Sequence, residues 1–331
     1  MQPTFDFARF FASRPVIAAP MAGVSDAVFR QISLEHGADL ACCEMVSAKG
    51  LSYANERTRN LIELAPNEPW CVVQLFGHEP AVMAREAQWV EDLLGERLAY
   101  LDINMGCPAR KIVKKGDGAA LMESPALAAD IVRAVTGAVE HPVTVKFRRG
   151  YEMNDETAPA FAQRMEEAGA AAVAVHGRFG AQLYWGTSDH SCIARVKEAV
   201  AIPVIGNGDV VSGETARALI SDTNCDAIMI GRGAQGNPWV FEQVKAALED
   251  RPEPAVPTVA ERIAQAREHA RLLCAHDAHG AARMRKHAAW YVAGLPGASV
   301  ARRQFSACST FEDFDRVLTE LSNAALERNN R

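Results

Sequence analysis

Short runs of apolar, mostly β-branched residues recur along the chain, and stretches with helical periodicity lie between them. The apolar runs are Val16 to Ala19, Leu40 to Met45, Cys71 to Phe76, Tyr100 to Ile103, Val143 to Phe147, Ala171 to Val175, Val204 to Ile205 and Asp226 to Ile230. Runs of this kind are typical of strands buried on both faces. Two sets of residues fall on single helical faces, namely Met83, Ala87, Val90 and Leu94, and Leu127, Ile131, Ala134 and Ala138.

Eight apolar runs alternating with helices predict a (β/α)₈ TIM barrel. Parallel strands need crossover connections, and closing the sheet into a barrel removes both of its edges. The alternative is an open, doubly wound sheet, which binds dinucleotides through a glycine-rich turn after its first strand. The corresponding segment here, Ala18-Ala-Pro-Met-Ala-Gly23, lacks the G-x-G-x-x-G spacing. The pattern therefore favours the barrel.

The composition changes after the last barrel helix, which we expect over Ala234 to Leu248. The segment from Asp250 to Pro257 is rich in proline and predicts a stiff linker. Thr258-Val-Ala-Glu261 then matches a capping box that opens a helix, and Thr310-Phe-Glu-Asp313 opens the final one. We therefore predict a barrel domain over residues 1–249, a linker over 250–257 and a small all-α helical bundle over 258–331.

In a TIM barrel the functional residues lie at the carboxyl ends of the strands, whereas residues within the strands fill the core. The candidates at those ends are, in chain order, Pro20, Met21 and Ala22; Glu44; Gln74; Asn104 and Cys107; Lys146 and Arg148; His176 and Arg178; Asn207, Gly208 and Asp209; and Gly231 and Arg232. Since all strand ends share one face of the barrel, we expect one polar site there.

The loops after the seventh and eighth strands indicate phosphate binding. Barrels commonly hold phosphate with these two loops, where glycines let backbone N–H groups approach the anion. Gly208 and Gly231 fit this role, and Arg232 adds positive charge. The alternative is that each glycine only makes a tight turn. The presence of glycine in both loops favours phosphate binding.

Lys146 lies late in an otherwise apolar strand, where its charge needs a stabilising partner. A cofactor ring that becomes anionic on reduction is one such partner, and a barrel carboxylate such as Glu44 is another. His176 could contact the same cofactor or could be a hydrogen-bonded histidine of the core. The sequence leaves both alternatives open.

Cys107 follows the fourth strand at a glycine-proline turn, which points a reactive group into the barrel mouth. No histidine lies nearby in sequence to activate a nucleophile, and no second cysteine lies at metal-ligand spacing. A histidine or cysteine partner that is distant in sequence but brought close by folding remains possible for either role. A cysteine thiol, with an ordinary pKa of about 8.5, can instead donate a proton at neutral pH. Lys114 and Lys115, before Gly116-Asp-Gly118, form a basic flap able to meet a polyanion.

The overall composition is that of a soluble globular protein, with 49% apolar and 23% charged residues among 331. No apolar run is long enough to cross a bilayer, and the first 14 residues lack the apolar core of a signal peptide. We therefore expect a cytoplasmic protein. The 8 cysteines include no C-x-x-C pair, and His276 with His279 has no evident further ligand, so no metal site is predicted.

The net charge of -6 argues mildly against wholesale binding of nucleic acid, but the charge is unevenly distributed. The basic residues between positions 258 and 303 are Arg262, Arg267, Arg271, Arg283, Arg285, Lys286, Arg302 and Arg303. Only Glu261, Glu268 and Asp277 oppose them there. This region is either a phosphate-binding track or a solvated helix face.

Segments across nearly the whole chain resemble the tRNA-dihydrouridine synthases, most closely their bacterial B branch. The most specific is Asp102-Ile-Asn-Met-Gly-Cys-Pro108. The others are Ala18 to Gly23, Glu44 to Lys49, Val73 to Leu75, Val145-Lys146, Val175 to Arg178, Ile205 to Asp209, Met229 to Arg232 and, beyond the barrel, Arg285-Lys-His-Ala-Ala-Trp-Tyr291. The loop from Gln182 to Ser188 is too variable in the family to be assigned a role.

The resemblance implies reduction of the C5=C6 bond of particular tRNA uridines with FMN and NADPH or NADH. The implied FMN contacts are Pro20, Met21, Ala22, Gln74, Lys146, His176, Asn207, Gly208, Asp209, Gly231 and Arg232. Hydride would pass from flavin N5 to C6 of a uridine turned out of its RNA, and Cys107 would protonate C5. The implied substrate-binding residues are Asn104, Arg148, Arg178, Lys114, Lys115, Arg285 and Lys286.

The expected partner is therefore tRNA, with no role for DNA or a membrane, and we expect a monomer. Three other functions are compatible with the pattern of residues. They are an FMN barrel acting on a free pyrimidine, a redox-silent RNA-binding barrel, and a lyase that uses the phosphate site for a sugar phosphate. A free pyrimidine needs no cationic helical surface, which argues against the first of these.

Overall fold

The computed structural model describes residues 4–329, with side chains up to residue 324. Residues 1–3 and 330–331 of the predicted domains lie outside the described residues. The strands of the described part form one wholly parallel sheet. They are β1 (Val16–Ala18), β2 (Leu40–Ala41), β3 (Val46–Ser47), β4 (Cys71–Phe76), β5 (Leu98–Met105), β6 (Val143–Arg148), β7 (Ala172–His176), β8 (Val204–Asn207) and β9 (Ala227–Ile230).

The sheet closes into a barrel, as predicted. β1 pairs with β9 on one side and with β2 on the other, and the remaining neighbours follow in order from β9 back to β3. An isolated bridge between Cys42 and Val72, with a 2.9 Å hydrogen bond from the Cys43 amide to the Val72 carbonyl, joins β2 to β4. β2 and β3 are thus two parts of one barrel strand, and the protein is a TIM barrel.

The prediction of one unbroken strand over Leu40 to Met45 is wrong. Residues 43–45 leave the regular ladder, and the strand resumes at Val46. At this break the Glu44 carboxylate accepts a hydrogen bond from the Gly23 amide in the turn after β1. Side-chain contact with a neighbouring loop therefore accompanies the interruption.

Helices pack against the barrel, and Phe11 of the first one joins the apolar cluster of Ile17, Tyr100 and Ala174 on the strands. The helices are α1 (Phe7–Ala12), α2 (Ala27–Glu35), α3 (Ala48–Ser52), α4 (Glu56–Arg59), α5 (Pro80–Leu94), α6 (Arg110–Val113), α7 (Pro125–Thr136), α8 (Ala158–Glu167), α9 (His190–Ala199), α10 (Gly213–Thr223) and α11 (Val240–Leu248). Four more follow: α12 (Val259–His276), α13 (Gly280–Tyr291), α14 (Ala298–Phe305) and α15 (Phe311–Asn329). None of the described helices is both long and apolar enough to span a membrane.

The predicted apolar face of α5 is confirmed at Met83, Ala87 and Val90, which are fully buried. The predicted face of α7 is confirmed only at Ile131, which is buried, and at Leu127, which packs against the core. Ala134 and Ala138 are half-buried, and the buried face runs instead through Ala128, Val132 and Val135. An alanine-rich helix offers two neighbouring apolar faces of similar width, so periodicity alone does not choose between them.

The last barrel helix starts later than predicted. It begins at Val240 rather than Ala234, after a 3₁₀ turn over Arg232–Ala234. Gly236 has a φ of +69°, which interrupts a right-handed helix, and Pro238 lacks the N–H that a helix interior needs. The intervening segment forms a loop at the barrel mouth.

The helices α12 to α15 bury their own apolar cluster, which includes Leu273, Met284, Phe305, Phe314 and Leu318. Both predicted starts are confirmed: Thr258 and Glu261 form a reciprocal capping box, and Thr310 and Asp313 exchange hydrogen bonds in the same way. The cluster also takes in Val28 and Ile32 of α2. The C-terminal helices therefore pack directly on the barrel, and we call them the helical unit.

Candidate active site

A cavity of about 620 Å³ opens at the carboxyl ends of the barrel strands. Its wall brings together 14 of the predicted site residues, namely Pro20, Met21, Ala22, Gln74, Asn104, Cys107, Lys146, Arg148, His176, Asn207, Gly208, Asp209, Gly231 and Arg232. The volume is that of a pocket for a cofactor-sized ligand. Arg178, Lys114, Lys115, Arg285 and Lys286 are not part of this wall.

A chain of hydrogen bonds fixes Asn104 and the turn that carries Cys107. Asn104 Nδ2 donates to Gln74 Oε1 at 2.7 Å, and Asn104 Oδ1 accepts from the amides of Gly106 and Cys107 at 3.2 and 2.9 Å. An asparagine that binds its own backbone two and three residues later stabilises a tight turn. Asn104 thus closes the turn after β5 and holds Cys107 at the cavity wall.

The buried carboxylate of Asp102 anchors this chain from below. It accepts hydrogen bonds from Gln74 Nε2 and from Thr144 Oγ1, each at 2.6 Å. Burial raises the pKa of Asp102 above its ordinary value, while these hydrogen bonds and the Lys146 charge oppose that rise. Sequence reasoning did not single out Asp102 as a site residue, although it lies within the most specific motif.

Cys107 is a free, partly exposed thiol, and it is the cysteine that lines the cavity. Each of Cys42, Cys43, Cys71, Cys192, Cys225 and Cys308 is buried. Within residues 4–329 no group of three or more His, Cys, Asp or Glu side chains is arranged to hold a metal ion. The geometry therefore leaves the Cys107 thiol free for chemistry with a ligand in the cavity.

Lys146 projects from β6 and donates from Nζ to Asn207 Oδ1 at 3.0 Å, rather than pairing with Glu44. Asn207 is held in turn by a 2.7 Å hydrogen bond from its Nδ2 to the Met229 carbonyl. Burial lowers the pKa of Lys146, and the nearby Arg148 charge lowers it further, while Asp102 opposes this shift. An electron-rich ligand would stabilise the ammonium group at this position.

His176 is buried at the end of β7 and also lines the cavity. Burial lowers its pKa well below the ordinary value, and the positive charges of Lys146 and Arg148 add to this effect. Its Nε2 lies 3.3 Å from Nη1 of Arg178, which can only donate. Burial and the surrounding cations therefore favour the neutral form of His176, whose Nε2 is placed to accept from Arg178.

Arg178 does not face the cavity but lies beneath its rim. It binds both carboxylate oxygens of Asp209, at 2.8 and 2.7 Å, and also donates to the carbonyls of Trp185 and Gly186. Although partial burial opposes the shift, hydrogen bonds from Arg178 and from the Ser188 amide hold the pKa of Asp209 low. Arg178 therefore holds two rim loops together, and a direct contact with substrate stays a prediction.

Arg148 ties the turn after β5 to the loop after β7. Its guanidinium donates to the carbonyls of Gly106, Phe179 and Leu183 at 2.8, 2.9 and 2.7 Å. Burial lowers its pKa to about 10. These hydrogen bonds hold the Arg148 guanidinium in the cavity wall, so that the cavity itself stays open.

Tyr184 is a site residue that the sequence analysis did not assign. Its exposed ring lies between two cations, 5.4 Å from the Arg148 guanidinium carbon and 5.0 Å from that of Arg232. Leu183 and Trp185 beside it are exposed too. The signal available in the sequence was an apolar triplet within the loop that follows β7, and it could have marked the cavity rim.

The loops after β8 and β9 present donors to the cavity. Gly208 has a φ of +131°, a left-handed conformation that favours glycine. Within residues 4–329, the amides of Gly208, Asp209 and Arg232 donate to no protein acceptor. The Arg232 side chain is 46% exposed. Free amides beside an arginine suit an anionic group such as a phosphate.

Lys114 and Lys115 are exposed at the end of α6, next to the cavity rather than in its wall. The segment behind them is tied down at two points. Asp117 is buried and accepts from His78 Nδ1 at 2.7 Å, and the Ala119 amide donates to the Cys107 carbonyl at 3.1 Å. His78 and Asp117 were not predicted, and they fix the base of the basic flap.

The two basic residues predicted on α13 have different surroundings. Arg285 donates from Nε to the Cys308 carbonyl at 3.0 Å, within the helical unit. Lys286 donates from Nζ to the Gly23 carbonyl, in the turn after β1. Burial lowers the pKa of Lys286, and the negative charges of Glu44 and Asp26 partly oppose this decrease. Lys286 therefore lies against the barrel.

Comparison with known proteins places these features in a family. A family model described as Dihydrouridine synthase (Dus) matches residues 16–329. The tRNA-dihydrouridine synthase B of Pseudomonas aeruginosa PAO1 is 39% identical over 319 residues, which cover 95% of this chain and 94% of that relative. A probable tRNA-dihydrouridine synthase of Mycobacterium tuberculosis H37Rv is 40% identical over 321 residues, covering 93% of this chain and 82% of that relative.

A solved structure shares the fold at much lower sequence similarity. The 6-hydroxypseudooxynicotine amine oxidase (HisD) of Pseudomonas geniculata N1 superposes with a TM-score of 0.52 and 12% identity, covering 72% of this chain and 47% of that one. This likeness concerns the fold alone. The family match over nearly the whole chain and the identity to full-length relatives are decisive, and the chain belongs to the dihydrouridine synthase family.

Proposed function

We propose that this protein reduces uridines in tRNA to 5,6-dihydrouridine, using FMN and NADPH or NADH. The observation that carries the proposal is that one cavity holds a free thiol on Cys107, the Lys146 ammonium and the donors of the two glycine loops. Family membership and the names of full-length relatives support the same reaction. The chain would thus be an oxidoreductase that acts on RNA.

The residues of the cavity fit FMN. The free amides of Gly208, Asp209 and Arg232 suit its phosphate, and the Arg232 side chain adds charge. Lys146 and the neutral His176 would lie beside its ring system, with Gln74 and the turn Pro20–Ala22 completing the wall. Bound FMN, once reduced by NADPH or NADH, would supply the hydride for C6 of the uridine.

The proposed role of Cys107 is to donate a proton to C5 of the uridine. The Asn104 side chain fixes its backbone, so the thiol approaches the base from a set direction. Asn104 and Arg148 would hold the base, although both already bond to protein groups in this structure. Binding of the base would therefore add hydrogen bonds to Asn104 and Arg148, or replace some of those they already make, while both side chains are held in position.

The proposed RNA surface joins the barrel rim to the helical unit. It combines the basic flap around Lys114 and Lys115 with the exposed Arg285, Arg302 and Arg303 of the helical unit. The proposal divides the chain into a catalytic domain over 1–249, a linker over 250–257 and an RNA-binding domain over 258–331. A basic surface next to the cavity would hold phosphates while one uridine enters it.

The proposed function is tested by measuring dihydrouridine in the tRNA of a strain that lacks the gene. Nucleosides from digested tRNA would be measured by mass spectrometry, and we expect dihydrouridine to disappear from at least one position. A plasmid carrying the gene should restore it, whereas the Cys107→Ala variant should not. Unchanged dihydrouridine at every position, in a strain without a second family member, would contradict the proposal.

A pH dependence is expected from Lys146. The charged ammonium would stabilise the electron-rich reduced ring of FMN, and burial lowers the pKa of Lys146 below its ordinary 10.5. As the pH rises, Lys146 therefore loses its charge at a lower pH than an ordinary lysine does. The affinity for reduced FMN should accordingly fall across the mildly alkaline range.

Anaerobic titration of reduced FMN into wild type and Lys146→Arg as a function of pH measures this effect. The arginine stays charged across the range, so its affinity should remain flat. The same alkaline loss in both proteins would show that Lys146 is not the responsible group.

A further inference from the structure

Helix α13 of the helical unit lies against two loops of the cavity, the turn after β1 and the loop after β9. Its Lys286 donates to the carbonyl of Gly23, which follows the cavity-lining residues Pro20 to Ala22 directly. At the other loop, a Cβ on Gly236 would lie 2.6 Å from the Tyr291 amide nitrogen and 2.7 Å from the Trp290 carbonyl oxygen. Backbone therefore packs on backbone there.

The backbone of Gly23 is held at both its amide and its carbonyl. Lys286 donates to its carbonyl, while the Glu44 carboxylate accepts from its amide. Gly23 has a φ of +74°, so few other residues could take its place in this turn. Burial raises the pKa of Glu44, and the Gly23 hydrogen bond and the Lys286 charge oppose that rise. Lys286 and Glu44 thus form a charge-complementary clamp on the two peptide groups that flank the Gly23 Cα.

An ion pair adds to the same interface. Arg283, one turn before Lys286 on α13, lies 3.4 Å from Asp26, which caps the N-terminus of α2. The two loops also meet in the cavity wall, where Gln235 Nε2 lies 3.7 Å from Met21 Sδ. A shift of α13 would therefore move both walls of the cavity near Met21.

We infer that Lys286 is a positioning residue for the cofactor, and that α13 couples the helical unit to the FMN site through the clamp on Gly23. The inference rests on the proposed function, since it takes FMN as the ligand of the cavity. It gives Lys286 a different role from the RNA contact expected from its charge and motif. The lysine is about half buried and its ammonium is committed to a barrel carbonyl, so phosphate is not its main partner.

The test compares FMN binding by full-length wild type, Lys286→Met and Arg285→Met after removal of bound flavin. Arg285 is the matched control, because it is the neighbouring cation on α13 but bonds within the helical unit. We expect Lys286→Met to weaken FMN binding by about tenfold, since a hydrogen bond from a charged donor is lost beside the site. Arg285→Met should bind FMN like wild type and show the larger loss of tRNA affinity.

Two further measurements separate positioning from general destabilisation. The visible circular dichroism of bound flavin should change in Lys286→Met, because the turn at Met21 has moved. Lys286→Arg, which keeps a charged donor, should restore most of the affinity and the spectrum. If Lys286→Met does not fold, Glu44→Ala removes the other half of the clamp and should produce the same loss of FMN affinity.

The outcomes that overturn the inference are distinct from failure of the proposed function. Wild type that takes up no FMN would refute the proposed function and, with it, this inference. Wild type that binds FMN while Lys286→Met binds it equally well would refute the inference alone. Equal losses of FMN affinity in Lys286→Met and Arg285→Met would also refute it, because the effect would then follow charge rather than the clamp.

Discussion

Replacing Cys107 with alanine is expected to slow the reduction of uridine in tRNA by about 10²- to 10⁴-fold, the usual contribution of a positioned general acid. Flavin reduction by NADPH should stay near the wild-type rate, because it requires no proton from the thiol. The turn should keep its shape, since the Asn104 side chain holds the Cys107 backbone amide rather than its sulfur. Rapid-mixing kinetics of the two half-reactions would separate these effects.

Two controls make this result specific. Cys107→Ser keeps a hydroxyl of similar size but is a much weaker acid, so it should be nearly as slow as alanine. Cys274→Ala removes another partly exposed thiol, in the helical unit, and should turn over like wild type. If Cys107→Ala reduced tRNA at the wild-type rate, the proton would have to come from another group and the role given to Cys107 would be withdrawn.

Removal of the Glu68 side chain is expected to give the largest loss of stability, about 3–5 kcal/mol in the free energy of unfolding. Glu68 forms a fully buried ion pair with Arg30, at 2.8 and 3.0 Å. In Glu68→Ala the guanidinium would be left buried without its countercharge, and the Ala65 amide would also lose its acceptor. Denaturant unfolding of the two proteins measures the difference.

The same substitution should disturb the cavity. Arg30 also binds the carbonyl of Ser25, and the Ser25 hydroxyl joins the Met21 amide to the Ala19 carbonyl. We therefore expect Glu68→Ala to lower FMN affinity as well as stability. The matched control is Glu79→Ala, which breaks an exposed pair with Lys49 and should leave both quantities unchanged. A Glu68→Ala protein as stable as that control would show that the buried pair contributes little.

The order and type of the barrel elements could be predicted from the sequence because strands buried on both faces leave continuous apolar runs. The run from Cys71 to Phe76, for example, coincides with β4. The break between β2 and β3 could not be predicted, since it accompanies a contact of Glu44 with a residue about twenty positions earlier. The buried face of α7 was predicted only in part, because it depends on which neighbouring helix covers it.

The candidate site was predictable as far as it follows strand ends. Residues such as Asn104, Lys146 and Asn207 meet in one cavity because a parallel barrel brings all carboxyl ends to one face. Roles that depend on side-chain partners were not predictable. Arg178 is hydrogen-bonded to the Asp209 carboxylate, and Lys286 is hydrogen-bonded to the Gly23 carbonyl. Both residues nevertheless carry the charge expected of an RNA contact. Charge in a sequence does not show which acceptor the folded chain supplies.

The most direct measurement is the mass of uridine in tRNA after incubation with the purified full-length protein, FMN and NADPH. The tRNA would come from a strain without any dihydrouridine synthase, so that every target site starts unmodified. We expect one or more uridines to gain two hydrogens and to be identified as 5,6-dihydrouridine, with NADPH consumed in equal amount. Protein that binds FMN and oxidises NADPH but leaves every uridine unchanged would contradict the assigned function.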